Sequence, residues 1–163
     1  RIDEPSPKPS LEWHQDYPFN MMADDTITYW VPIQNIRIEH GPVYFVPKSH
    51  NEILPINYSK KKKENHYETN YISIKNIDQH KISFKRNEFT FRKEIDAGSV
   101  LLINSKVVHR SGQNYSKNPR WVAICRHGSL FNQNLVDRKW YTFRSKYPDL
   151  FVNIHPELVT VTD

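Results

Sequence analysis

Two histidines and one carboxylate in this chain have the types and spacing to converge on a metal ion. They are His14 and Asp16, separated by Gln15, and His109 far downstream. On an extended strand alternate side chains share a face, so His14 and Asp16 point one way and Gln15 the other. Same-face neighbours lie roughly 6.6 Å apart along the backbone, near enough for an imidazole and a carboxylate to reach one ion. His109 is the best candidate for the third ligand. Two His and one carboxylate with open positions is the facial arrangement that suits non-haem Fe(II) in oxygenases. Arg120 begins the strand after His109, where a guanidinium can hold the carboxylate of a second ligand bidentately. Ser111 shares the parity of His109 and could add a hydroxyl there. Trp30 offers a flat apolar wall to an aliphatic chain.

The elements that must carry these residues read as short strands. Arg1 to Asp3 reads as the end of a strand, and Glu4 to Ser10 as a Pro-rich turn into the strand bearing His14. From Thr26 to Asn35, Ile27, Tyr29, Val31 and Ile33 alternate against Thr28, Trp30 and Pro32, giving a strand with two differently lined faces. Val43 to Val46 is an apolar strand opened by the His40-Gly41-Pro42 turn, and Lys48 to Asn51 a polar turn in which His50 is expected to be structural. Glu52 to about Gln79 reads as a long polar excursion with one short strand at Tyr71 to Ile74. Extended to Phe91, this stretch carries Tyr58, Tyr67, Tyr71, Phe84, Phe89 and Phe91, and is expected to select substrate rather than to form core. Further strands are expected at Lys81 to Phe84, Phe89 to Ile95, Ser99 to Ile103, Lys106 to His109 and Arg120 to Arg126. Gly112 to Pro119 reads as a hairpin-like loop, Cys125 as a small core residue, and Asp137 to Tyr147 as an amphipathic helix stopped before Pro148. Many short strands at this spacing mean an antiparallel sandwich or barrel, with the double-sheet jelly roll the leading architecture.

Composition narrows the function classes. The chain has 163 residues, which fits a single domain spanning 1–163. No apolar run approaches the length of a membrane span, and no signal-peptide pattern is present. The single cysteine leaves no internal disulfide framework, which fits a reducing, cytoplasmic setting. Net charge is +5, with much of the excess in Lys60 to Lys63. That run supports one competing reading, a non-catalytic jelly-roll binding module whose Lys-rich loop engages a polyanion. A solvated loop is the favoured reading of that run, so nucleic acid is not the expected partner. No Ser-His-Asp order, Gly-rich phosphate loop or Cys cluster is present, which leaves hydrolase, nucleotide and zinc-finger readings unsupported.

Four blocks taken in order resemble a known family. They are Trp13 to Phe19, Gly41-Pro42 to Ser49-His50, Ala97 to Leu102, and His109 to Arg120. Together they are similar to the phytanoyl-CoA dioxygenase family of Fe(II)- and 2-oxoglutarate-dependent oxygenases. That resemblance implies a mainly β, cupin-like double-stranded β-helix, here with a long insertion and a short C-terminal helical segment. It implies that His14, Asp16 and His109 hold iron, that Arg120 pairs the distal carboxylate of 2-oxoglutarate, and that Trp30 and Ser111 contact this co-substrate. It further implies oxidative decarboxylation of 2-oxoglutarate to succinate with O2, and hydroxylation of a small organic substrate. In related halogenases a small residue replaces the carboxylate, so Asp16 points to hydroxylation. The family's usual helical region ahead of its first core strand is expected to be lacking here. Its usual Asn before Gly-Pro is His40 in this chain.

Overall fold

The computed structural model describes residues 1–7, 11–20, 25–61, 69–76, 90–91, 94–129 and 147–162. Two antiparallel sheets face each other. The first contains β1 (Ile2–Asp3), β2 (Ile27–Pro32), β7 (Leu101–Asn104) and β9 (Arg120–His127), in the order β1-β9-β2-β7. The second contains β3 (Val43–Phe45), β6 (Thr90–Phe91) and β8 (His109–Ser111), in the order β6-β3-β8. A third sheet at one side joins β4 (Ile56–Lys61) to β5 (Thr69–Ile74) antiparallel and to β10 (Val159–Val161) in parallel. Helix α1 (Tyr147–Ile154) precedes β10.

The strands form where side chains alternate, and alternation also selects the inner face. Along β2 it is Thr28, Trp30 and Pro32 that are buried, while Ile27, Tyr29 and Val31 are only partly covered. The mixed face therefore points inward, because it must line a site as well as fill a core. Trp30, Ile103 and Val122 of the first sheet pack against Val43 of the second, closed by the bridged pair Ile36 and Ile95. Burying an aliphatic or aromatic side chain of this size contributes about 1.5–3 kcal/mol, so this layer binds the two sheets. A second cluster, Trp13, Val46, Leu54, Ile74 and Val108, lies beneath the segment that carries His14.

Several expectations need correction. Trp13 to Asp16 is not a strand: His14 makes an isolated bridge, and Asp16 already has helical torsions as the cap of a 3-10 turn over Tyr17–Phe19. The stretch from Glu52 is not all excursion, since β4 and β5 pair over six residues and Leu54, Ile56, Tyr58 and Ile74 are core. The surrounding Lys- and Asn-rich sequence masks the short alternation of Ile56 and Tyr58 with Asn57 and Ser59. The expected strand at 81–84, the aromatics Tyr67, Phe84 and Phe89, and most of the expected helix lie outside the described residues. The observed helix begins at Tyr147 with Pro148 in its first turn, where proline's missing N–H costs nothing. β8 and β9 belong to opposite sheets, so Gly112 to Pro119 crosses between sheets and is not a hairpin. Cys125 is exposed, because the inward parity of β9 belongs to Arg120, Val122 and Arg126. His50 is exposed as well, and it is the Ser49 hydroxyl that fastens its turn.

Where the second sheet begins, two glycines meet backbone to backbone. Gly41 has φ +70, and the Gly112 amide donates to the Pro42 carbonyl at 2.9 Å. A Cβ on Gly112 would stand 2.6 Å from the Pro42 oxygen and 2.7 Å from the Gly41 carbonyl carbon. Backbone cannot move aside as a side chain can. Gly112→Ala is expected to destabilise the fold by roughly 2 kcal/mol, as overpacking does, read as a lower urea midpoint at unchanged slope. An unchanged midpoint would mean that this contact is slack.

Candidate metal centre

His14 and His109 are fastened to each other by their backbones. Each amide donates to the other's carbonyl, both at 2.9 Å, and the two rings stand 4.3 Å apart between centroids. The same bridge joins the chain start to β8. Gln15 faces away, as expected, and does structural work there. Its amide nitrogen donates to the carbonyls of Glu52 at 2.8 Å and Lys106 at 2.5 Å, and its oxygen accepts from Leu54 N at 2.9 Å. Asp16 then turns into Tyr17–Phe19, where Tyr17 N donates to Ser105 O and the Tyr17 ring meets Phe151 of α1 edge-on. So the turn after Asp16 is held from both sides.

Ligand atoms of His14, Asp16 and His109 all lie within 4.8 Å of one another, and all three residues are buried. Each imidazole places Nδ1 against a main-chain carbonyl, Glu12 O at 2.6 Å for His14 and Val107 O at 2.8 Å for His109. A carbonyl only accepts, so the proton sits on Nδ1 and the Nε2 lone pair is available. Asp16 Oδ2 accepts from the Thr28 hydroxyl at 2.8 Å and lies 3.4 Å from the Arg126 guanidinium. Oδ1 is turned to the histidines, 3.7 Å from His14 Nε2. Burial, helped by His109, pushes His14 down to about 3, so the ring is neutral at ordinary pH. Burial alone would raise Asp16, but His109, Arg126, His14 and the Thr28 hydroxyl together hold it at about 2. One carboxylate and two imidazoles that each turn Nε2 toward the others are a donor set that fits a divalent transition metal.

The three residues line a cavity of about 530 Å³ together with Trp30, Ser111 and Thr28. Trp30 and Ser111 thus stand where the sequence placed them, on the cavity wall. Arg120 does not line it. Its strand begins where expected, but the side chain is fully buried, with one terminal nitrogen 2.6 Å from Asp3 Oδ2 and the other donating to His40 O at 3.3 Å. Asp3 does line the cavity and is gripped on its other side by Arg1, with Nε and a terminal nitrogen both 2.9 Å from Oδ1. Arg120 therefore meets the cavity through an Arg1–Asp3–Arg120 cluster. Thr28, Asp3, Gln15 and Arg126 were not singled out in the sequence. Strand parity carried the signal for two of them, since Thr28 shares a face with Trp30 and Arg126 with Arg120.

The His14 shift gives the metal-free protein a definite pH dependence. The unfolded chain takes up a proton near 6.5 and the folded site only near 3, so acid favours unfolding across that window. Stability of the metal-free protein is expected to fall steadily from pH 6.5 toward 3, and His14→Gln to flatten the fall. Parallel curves for both proteins in urea titrations would assign the acid sensitivity elsewhere.

Comparisons with known proteins agree with this geometry. The family model described as Phytanoyl-CoA dioxygenase (PhyH) matches residues 2–122. A phytanoyl-CoA dioxygenase domain-containing protein 1 homolog from Caenorhabditis elegans is 25% identical over 124 residues, covering 75% of this chain and 42% of that protein. EctD from S. alaskensis, solved with 2-oxoglutarate and 5-hydroxyectoine, superposes with a TM-score of 0.57 at 15% identity, over 81% of this chain and 43% of its own. EvdO2 from Micromonospora carbonacea var. aurantiaca, complexed with 2-oxoglutarate, gives 0.55 at 13% identity, over 85% of this chain and 55% of its own. The chain thus spans about half the length of these proteins or less. At such identities the two structures establish the fold, the cupin-like double-stranded β-helix expected from the sequence. With three quarters of its length matched by the family model, this chain belongs to the phytanoyl-CoA dioxygenase family.

Proposed function

We propose that this chain is the core of an Fe(II)- and 2-oxoglutarate-dependent dioxygenase that hydroxylates a small organic substrate. The observation that carries the reading is the convergence of His14, Asp16 and His109 on one cavity wall, with both imidazoles locked to present Nε2. Family membership supports it, as does the presence of 2-oxoglutarate in the EctD and EvdO2 structures. Bound there, iron supplies the oxidation of substrate by O2, coupled to decarboxylation of 2-oxoglutarate to succinate and CO2. The protein's part is to orient and to shield. Thr28 fixes the carboxylate of Asp16, so the metal meets Oδ1 without a search for rotamer. The backbone bridge sets the spacing of the two imidazoles. Trp30, Ile103 and Ile124 give the cavity dry walls, which keep water from a reactive centre. Ser111 and the Arg1–Asp3–Arg120 cluster, with its net positive charge, offer a seat for the distal carboxylate of 2-oxoglutarate. Asp16 occupies a position that a halogenase would leave to halide, which favours hydroxylation.

Two substitutions test this assignment. His109→Ala is expected to abolish metal-dependent formation of succinate and to lower Fe(II) affinity by at least an order of magnitude, since one ligand of three is removed. Metal titration checks it, and unchanged stoichiometry and affinity would remove His109 from the site. Arg120→Ala is expected to weaken 2-oxoglutarate binding by removing the net positive charge of the Arg1–Asp3–Arg120 cluster, with metal affinity nearly intact. It also strips one partner from a buried carboxylate, so a loss of stability of about 3 kcal/mol accompanies it. Unchanged 2-oxoglutarate affinity in the folded variant would make Arg120 purely structural.

A further inference from the structure

We propose that Arg126 receives an oxyanion on the substrate, so that the molecule oxidised is a small organic acid. The inference rests on the function proposed above and adds the substrate's charge to it. Among the described residues, the guanidiniums of Arg1 and Arg126 line the cavity, and that of Arg120 stands behind Asp3. Those of Arg1 and Arg120 are committed to Asp3 at 2.9 and 2.6 Å. Arg126 is held less firmly. Its contact with Asp16 Oδ2 is 3.4 Å, near the outer limit of a hydrogen bond, and its Nε is buried with no hydrogen-bond partner. A guanidinium offers five donors in a rigid fork, and a buried donor left unmade costs free energy. The fork matches the two oxygens of a carboxylate, which would satisfy Nε and a terminal nitrogen together.

Charge bookkeeping points the same way. Among the described residues, the guanidiniums of Arg1, Arg120 and Arg126 face the carboxylates of Asp3 and Asp16, three cations against two anions. A divalent metal and dianionic 2-oxoglutarate cancel each other. One positive charge is left at the cavity, and it lies beside Asp16. Position separates the two anions. Arg120 and Arg126 share the inward face of β9 six residues apart, roughly 20 Å along an extended strand. The co-substrate's distal carboxylate belongs at the Asp3 end, whereas Arg126 pairs across β2 with Thr28, beside Asp16. An oxyanion on Arg126 therefore holds the substrate next to the metal centre, with its aliphatic body against Ile103 and Ile124.

The test uses the whole chain loaded with Co(II) and saturated with 2-oxoglutarate, titrated calorimetrically with valerate and with 1-pentanol, its uncharged counterpart of the same length. Co(II) absorption is followed in parallel, since a molecule seated beside the metal shifts it. Valerate is expected to bind at least about tenfold tighter than pentanol, and Arg126→Gln to erase that preference, as loss of a charge-assisted pair would. Arg126→Lys should restore part of it, and each variant is brought to Co(II) and 2-oxoglutarate saturation before titration, because loss of the Arg126 contact with Asp16 weakens the metal site as well. Equal binding of the two probes, no binding of valerate, or valerate binding only by displacing 2-oxoglutarate would overturn the proposal. So would an unchanged preference for valerate in Arg126→Gln, which would make Arg126 a support for Asp16 alone. If Arg126→Gln does not fold, the comparison of probes on the parent and on Arg126→Lys still decides. A parent chain that binds neither Co(II) nor 2-oxoglutarate would sink the proposed function itself, whereas binding both without preferring valerate sinks only the anion site.

Discussion

The pair of hydrogen bonds between His14 and His109 is the constraint on which the rest of the site depends. Those two amides and two carbonyls set the separation of the imidazoles before any side-chain rotamer is chosen. Everything around them serves to keep that pair in place. Gln15 ties the same segment to Glu52, Leu54 and Lys106, so the backbone bearing His14 and Asp16 is held from its far side. Ser49 accepts from Val108 N, next to His109, and fastens the approach to β8. With carbonyls on both Nδ1 atoms, neither ring can turn without breaking a hydrogen bond. A site held in this way reaches the metal already ordered, and little of the binding energy is spent on arranging it.

Around that frame the charged groups divide into two neighbourhoods. At one, Asp3 is buried between two guanidiniums; at the other, Asp16 is buried among two imidazoles, a hydroxyl and Arg126. A buried carboxylate is tolerable only with such company. The two neighbourhoods sit on one strand face of β9, with Val122 and Ile124 between their arginines.

Much of this was legible in the sequence because local alternation carries it. β2, β3 and β9 fall within a few residues of their expected bounds, and the triad is brought together from His14, Asp16 and His109 as expected. What alternation cannot carry was lost. The strand expected around His14 is a bridge and a turn, because Asp16 must bend the chain for Oδ1 to face the histidines. β4 does alternate, Ile56 and Tyr58 against Asn57 and Ser59, but it is embedded in a Lys- and Asn-rich stretch that reads as an excursion. The partner of Arg120 was invisible for a different reason: Asp3 lies 117 positions away, and no local pattern links them. An arginine reads the same in sequence whether its carboxylate arrives with a ligand or is already supplied by the chain.

The edge strands have a consequence for the order in which this molecule assembles. β1 closes onto β9, and β10 from the end of the described chain lies parallel to β4. Contacts between such distant segments must overcome loop-closure entropy before they return any stabilisation, so folding is slow compared with a helical protein of this size. During synthesis the His14 segment leaves the ribosome long before its partner strand exists. Until β8 emerges, His14 and Asp16 belong to an unpaired length of chain, and a cation that meets them finds two donors rather than three. The role proposed for these three residues therefore requires metal loading to wait until the last core strands are made, when the cavity is closing around them.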